Sequence, residues 1–156
     1  MGKRRKGRIL AFQALYAWDT ADDKKSALKD LLDFSWIENN QPFNSNKETD
    51  SDEDSTITFS RLLVAGTVEN IKTVDTMIRK HLVNWAFSRL TRVDRALLRL
   101  SVYELLYQTT PPRVVIDEAV DISREYGTDD SFRFINGVLD GIRKTLQNGE
   151  KEKSNE

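Results

Sequence analysis

The stretch Arg92–Tyr107 constrains the fold more than any other part of the chain. Val93, Ala96, Leu97, Leu98, Leu100, Val102, Leu105 and Leu106 recur there at helical spacing and cover more than half of the helix's girth. A helix that is apolar nearly all round must be enclosed by other elements, so this one is expected at the centre of the molecule. It has to stop at Thr109-Thr110-Pro111-Pro112, because neither proline donates a hydrogen bond and each restrains its predecessor. The same period runs through the rest of the chain. Ile9–Asp19 reads as an amphipathic helix, and Ser26–Trp36 as a second, with Leu28, Leu31, Leu32 and Ile37 inward. Thr56 to about Asn84 reads as one long, bent helical region, followed by a short link or turn over Trp85–Leu90. Val114–Tyr126 is the next helix, with Gly127 as its C-terminal residue. The last opens at Asp129-Asp130-Ser131 and buries Ile135, Val138, Leu139, Ile142 and Leu146. No strand-like alternation survives beside this pattern, so the fold class is all-α, with about seven helices.

Composition narrows the function by exclusion. The 156 residues are enough for one domain with a real core. There is no cysteine, which removes disulfides, thiolate catalysis and cysteine metal sites and suits a reducing compartment. The single histidine, His81, cannot form a site that needs two imidazoles and reads as a surface or helix-end residue. No apolar run approaches the roughly 20 residues that span a bilayer, and no signal peptide is read, so a cytoplasmic protein is expected. Glycine-rich phosphate loops, Gly-x-Ser-x-Gly and His-Glu-x-x-His are all missing from the sequence, which disfavours an enzyme and implies neither metal nor cofactor. Residues 39–56 hold five acids and one lysine, a local charge of −4 that leaves +3 on the rest of the chain. With almost no apolar residues, this segment is expected to be a disordered acidic insertion. The expected domain is then 1–148, and 149–156 a polar, frayed tail.

The chemistry-bearing residues fall in three places. Lys3, Arg4, Arg5, Lys6 and Arg8 put five cations into six positions, and Phe12 and Tyr16 continue the stripe of Arg5. Cations interleaved with rings suit a single nucleic-acid strand, where phosphates meet arginine and bases meet aromatics; the plainer reading is a solvated basic end over a core ring. In the last helix Phe134, with Arg133 and Asn136, lies near a helix start, where such groups stack on bases and hold phosphates, or else Phe134 is simply buried. Gly137 and Gly141, one turn apart, cost about 1 kcal/mol each against alanine and imply a close approach. Arg89, Arg92, Arg95 and Arg99 could form one cationic ridge, or pair with Asp94 and the acidic helix that follows. Asp117, Asp121 and Glu125, four residues apart, form a solvated acidic ridge or a patch for a basic protein.

Ser131-x-x-Phe134-Ile135-Asn136-Gly137-Val138-Leu139-Asp140 resembles the C-terminal signature of the NusB family of transcription antitermination factors. Further blocks resemble it in order: Arg4-Arg5-x-x-Arg8 with Gln13-Ala14-Leu15-Tyr16, Phe59-x-x-x-Leu63 with Gly66, Val93-Asp94-Arg95-Ala96-Leu97-Leu98-Arg99 with Tyr103-Glu104-Leu105, and Val115-Ile116-Asp117-Glu118-Ala119-Val120-Asp121. The resemblance implies two packed helical bundles and a non-catalytic protein. It also implies pairing with NusE, a small-subunit ribosomal protein, and binding of single-stranded boxA RNA of nascent ribosomal RNA transcripts, within the antitermination complex on RNA polymerase. On that basis Lys3, Arg4, Arg5, Lys6 and Arg8 are assigned to phosphates. Tyr16 and Phe134 are assigned to base stacking or its support, Arg133 and Asn136 to polar contact, and Asp130 to capping the last helix or to a base edge. Asp94, Glu104, Asp117, Asp121 and Glu125 are assigned to the partner surface. Gly7 stands where alanine is usual and is expected to loosen the first turn, so that the arm orders on RNA. Free, the protein is expected as a monomer or weak homodimer. Two rivals remain: an RNA-independent helical adaptor, and an RNA-binding module like that fused to ribosomal RNA methyltransferases, for which the length leaves no methyl-donor site.

Overall fold

The computed structural model describes residues 2–36 and 50–154, with side chains from residue 54 to residue 150 in the second stretch. Among them are seven α-helices: α1 (Lys3–Thr20), α2 (Lys24–Asp33), α3 (Asp50–Glu69), α4 (Ile71–Lys80), α5 (Arg92–Tyr107), α6 (Pro112–Tyr126) and α7 (Ser131–Ser154). A 3-10 turn, Phe87–Arg89, fills the expected link before α5. The helices divide into two compact units, Met1–Glu69 and Asn70–Glu156.

In the first unit α1 packs along α3, and α2 joins both. Leu10, Phe12, Leu15 and Trp18 of α1 and Leu63 and Val64 of α3 are buried. Asp23 caps α2 by accepting from the Ser26 N–H at 3.2 Å. Phe34 ends α2 in the left-handed conformation, φ 55°, buried, with its ring 5.4 Å from that of Trp36. The Arg61 Nε donates to the Leu32 carbonyl at 2.9 Å and ties α3 to α2.

Two expectations are corrected in this unit. The basic residues are not a loose arm: they form the first turns of α1, which runs helical from Lys3 straight through Gly7. Gly7 is a point of close approach. A Cβ there would lie 2.6 Å from the Phe59 Cδ1, and the Ser60 hydroxyl donates to the Gly7 carbonyl at 2.7 Å. The acidic segment 39–56 is likewise not disordered throughout. Residues 50–56 are the opening turns of α3, an order that composition alone does not register. The remainder of that insertion lies outside the described residues, as does Ile37.

In the second unit α5 spans the residues expected of it and packs against α4, α6 and α7. Leu97, Leu98, Leu100 and Val102 are buried on it, as are Val74 and Ile78 of α4, Ile122 of α6, and Ile135, Leu139 and Ile142 of α7. The Thr91 hydroxyl caps it by accepting from the Asp94 N–H at 3.1 Å. The expected long region before it is two helices, parted at Asn70. The helix expected to fray after Asn148 continues to Ser154.

Charge and glycine placement also differ from expectation here. Arg99 does not belong to an exposed ridge. It is buried, and its guanidinium holds the Asp75 carboxylate of α4 with two bonds of 2.9 and 3.0 Å. His81 closes α4: Nδ1 lies 2.9 Å from the Met77 carbonyl, and Nε2 lies 2.8 Å from the Thr145 hydroxyl of α7. A Cβ at Gly141 would make an ordinary contact of 3.4 Å with the imidazole, and Gly137 faces open space, so neither glycine marks the expected close approach. Gly127 is extended (φ −92°, ψ −170°), not left-handed. Its small size is what matters, because a Cβ would lie 2.6 Å from Ser131 and 2.7 Å from the Ser123 carbonyl.

A buried ion pair broken on one side leaves an uncompensated charge, at a cost of about 3–5 kcal/mol. Asp75→Ala is therefore expected to lower the urea midpoint by that free energy with an unchanged m-value. A loss under 1 kcal/mol would show that Arg99 finds another carboxylate.

Candidate nucleic-acid interface

The first unit presents its cations at a helix start. Lys3 and Arg4 are exposed, and Arg5 and Lys6 half-buried, in the opening turns of α1, which hold no acid. The N-terminus of a helix already carries positive partial charge, so four cations there oppose the dipole and favour a bound anion. Phe59 of α3 organises them: the Arg4 guanidinium lies 4.5 Å and that of Arg8 5.5 Å from the ring centroid. Arg8 is buried, so it anchors the cluster from inside instead of standing at the surface with Arg4. Phe12 is core, while Tyr16 stays 39% exposed. Phe59 as an organiser was not legible, since nothing in its spacing says which side chain will rest on it.

The second unit holds a groove of about 390 Å³ where the starts of α5 and α7 meet. Trp85 and Phe134 line it, together with Val83, Arg89, Asp94 and Asp130. Trp85 is 52% exposed and Val83 82% exposed, on a loop turned by Asn84 in the left-handed conformation, φ 58°. Phe134 is half-buried and faces the groove. The ring is thus neither sealed in the core nor loose on the surface. Trp85 was overlooked because its segment read only as a link.

The charged lining is Arg89 and two carboxylates, the latter set at the two helix starts. The Asp94 Oδ1 is buried without a hydrogen-bond partner among the described residues. Asp130 is exposed and its carboxylate accepts no hydrogen bond among them. The expected Asp130 cap is replaced by a pairing of Thr128 and Ser131: the Ser131 hydroxyl accepts from the Thr128 N–H at 3.0 Å and lies 3.1 Å from the Thr128 hydroxyl. What Asp130 contributes to the cap is its carbonyl, which accepts from the Phe134 N–H at 3.3 Å. Two helix N-termini make this a place where carboxylates are tolerated, and two acceptors beside two rings can receive the N–H groups of a stacked base.

The remaining assigned residues separate. Asn136 is exposed, and the exposed Arg133 lies 5.3 Å from the ring of Phe132, which Arg124 also approaches at 4.8 Å. Asp117, Asp121 and Glu125 stand exposed along α6, beside Val114 at 43% exposure. Burial and the neighbouring Glu125 charge push the Tyr126 hydroxyl above its ordinary range. Glu104 does not belong to a docking surface: it is 1% exposed, because α5 is enclosed on that face too. Asp94 belongs to the groove, not to the acidic ridge.

The profile of the NusB family matches residues 5–144. The transcription antitermination protein NusB of Treponema denticola is 48% identical over 141 residues, covering 90% of this chain and 95% of the relative. Among solved structures, NusB of T. maritima matches with a TM-score of 0.67 at 33% identity over 90% of each chain. A structure of the antitermination factors NusB and NusE in complex with dsRNA matches with a TM-score of 0.71 at 29% identity, covering 92% of this chain and 97% of that one.

On α7 the Asp140 carboxylate accepts from Arg143 at 2.7 Å and pairs with Lys144 at 3.2 Å, which holds it below the usual carboxylate range. A carboxyl depressed in the fold adds stability above its ordinary range and loses it as pH falls through the folded value. Carboxyl NMR is expected to find Asp140 titrating below an unpaired aspartate, and Arg143→Ala to move it upward. An unmoved midpoint would remove the arginine as the cause.

Proposed function

The chain belongs to the NusB family, and we propose that it is a cytoplasmic transcription antitermination factor that binds single-stranded boxA RNA of nascent ribosomal RNA transcripts together with NusE. In this reading it is a tether to the RNA polymerase antitermination complex and makes no bonds of its own. The observation that carries the reading is the groove of Trp85 and Phe134 with the Asp94 and Asp130 carboxylates. Unpaired bases can enter such a groove face-on and offer their N–H edges, whereas bases inside a duplex cannot. Lys3, Arg4, Arg5 and Lys6 hold phosphates, with Arg8 fixing the cluster on Phe59 and Tyr16 available for a further base. Arg133 and Asn136 supply polar contacts at the rim.

The partner surface in this reading is the exposed ridge of Asp117, Asp121 and Glu125, which complements a basic ribosomal protein. A protein-only adaptor would bind its partner equally well in the presence and absence of RNA.

Stacking on one aromatic is worth about 1–3 kcal/mol per base. Phe134→Ala is expected to weaken binding of single-stranded boxA RNA by roughly 5- to 150-fold in a gel shift, with helical circular dichroism unchanged. Equal affinity of wild type for the same sequence as a duplex, or no loss in the variant, would sink the reading. Reversing the ridge with Asp117→Lys and Asp121→Lys is expected to weaken association with NusE and to spare binding of RNA alone.

A further inference from the structure

Cations at the start of α5 stand at the wrong end of a helix. Arg92 is its first residue and Arg95 follows one turn on, where the dipole disfavours positive charge. Phe87 gathers more positive charge beside them. The guanidinium carbons of Arg79, Arg99 and Arg95 lie 4.4, 5.4 and 5.8 Å from its ring centroid. Asp75 neutralises Arg99. Asp94, the acid in the first turn, is buried and turned to the groove. Arg79, Lys80, Arg89 and Arg92 are exposed and form no ion pair among the described residues. Arg79 thus shares one ring with two more guanidinium groups, and Arg89 and Arg92 flank the start of the same helix; a fold gains nothing from such a gathering of like charge, since mutual repulsion costs stability.

Arg89 joins this cluster to the groove, because it lines one and sits two residues from Phe87 in the other. We infer that Arg79 and Arg92 form a phosphate track along which the RNA backbone continues beyond the base-binding groove, so that the protein engages more nucleotides than the groove and the first turns of α1 hold. This rests on the proposed RNA function. The partner is RNA backbone and not an acidic protein, because Arg89 belongs both to this cluster and to the groove proposed for bases. Guanidinium groups present paired N–H donors that match phosphate oxygens. A phosphate at the start of α5 also relieves the opposition between Arg92 and the helix dipole.

The test compares wild type with the Arg79→Ala, Arg92→Ala double variant, whose two sites are exposed and outside the groove. Two single-stranded probes are used: boxA RNA alone, and boxA RNA extended on both sides by unstructured nucleotides. Two single-strand phosphate contacts contribute about 1.4 to the slope of log K against log salt, or roughly a sevenfold difference between 50 and 200 mM. Wild type is expected to show that extra slope on the extended probe, and the double variant to lose it while binding the short probe as before. Arg79→Lys with Arg92→Lys is expected to retain it. Equal slopes for wild type and the alanine variant on the extended probe would overturn the track, as would loss of the slope in the lysine variant. Insensitivity of the short probe to Phe134→Ala would instead overturn the groove.

Discussion

Enclosure of α5 is the condition on which the second unit depends. Its apolar residues cover most of its circumference, so α4, α6 and α7 must surround it, and even Glu104 and Arg99 are drawn inside. Burying Arg99 is tolerable because Asp75 meets it with two hydrogen bonds. A helix enclosed along its length can offer only its ends to a ligand. The start of α5 is such an end, and the start of α7 opens beside it. The groove is thus a consequence of the packing: two helix N-termini, an aromatic from α7, and a tryptophan on the loop that leads in.

Much of this was legible in the residues. Arg92–Tyr107 could be delimited from its apolar girth and the prolines beyond it, and Phe134 could be singled out because an aromatic with an arginine and an amide beside a helix start suits base stacking. What escaped was decided by tertiary neighbours. Arg99 shares its spacing with Arg89, Arg92 and Arg95, and only the position of Asp75 on another helix takes it inside. Glu104 looked exposed because acids usually are. Trp85 sat in a segment without periodicity, where sequence patterns have little to say. Residues 50–55 looked too polar to order, yet they open α3.

Both units accept an electrostatic handicap in the same form. Lys3 and Arg4 head α1, and Arg92 heads α5, each at the positive pole of its helix. Local rules of stability would place acids there. Departures of this kind are where a fold concedes stability to binding, and in the proposed reading the RNA backbone reverses the sign of the penalty at both places.

The contact between Gly7 and Phe59 has an evolutionary corollary. With the ring 2.6 Å from where a methyl group would stand, and the neighbouring serine bonded to the glycine's own carbonyl, residue 7 cannot grow while residue 59 keeps its shape and place. A relative that pairs alanine at the first site with phenylalanine at the second must seat the ring farther from the helix, and the arginines that rest on the ring move with it.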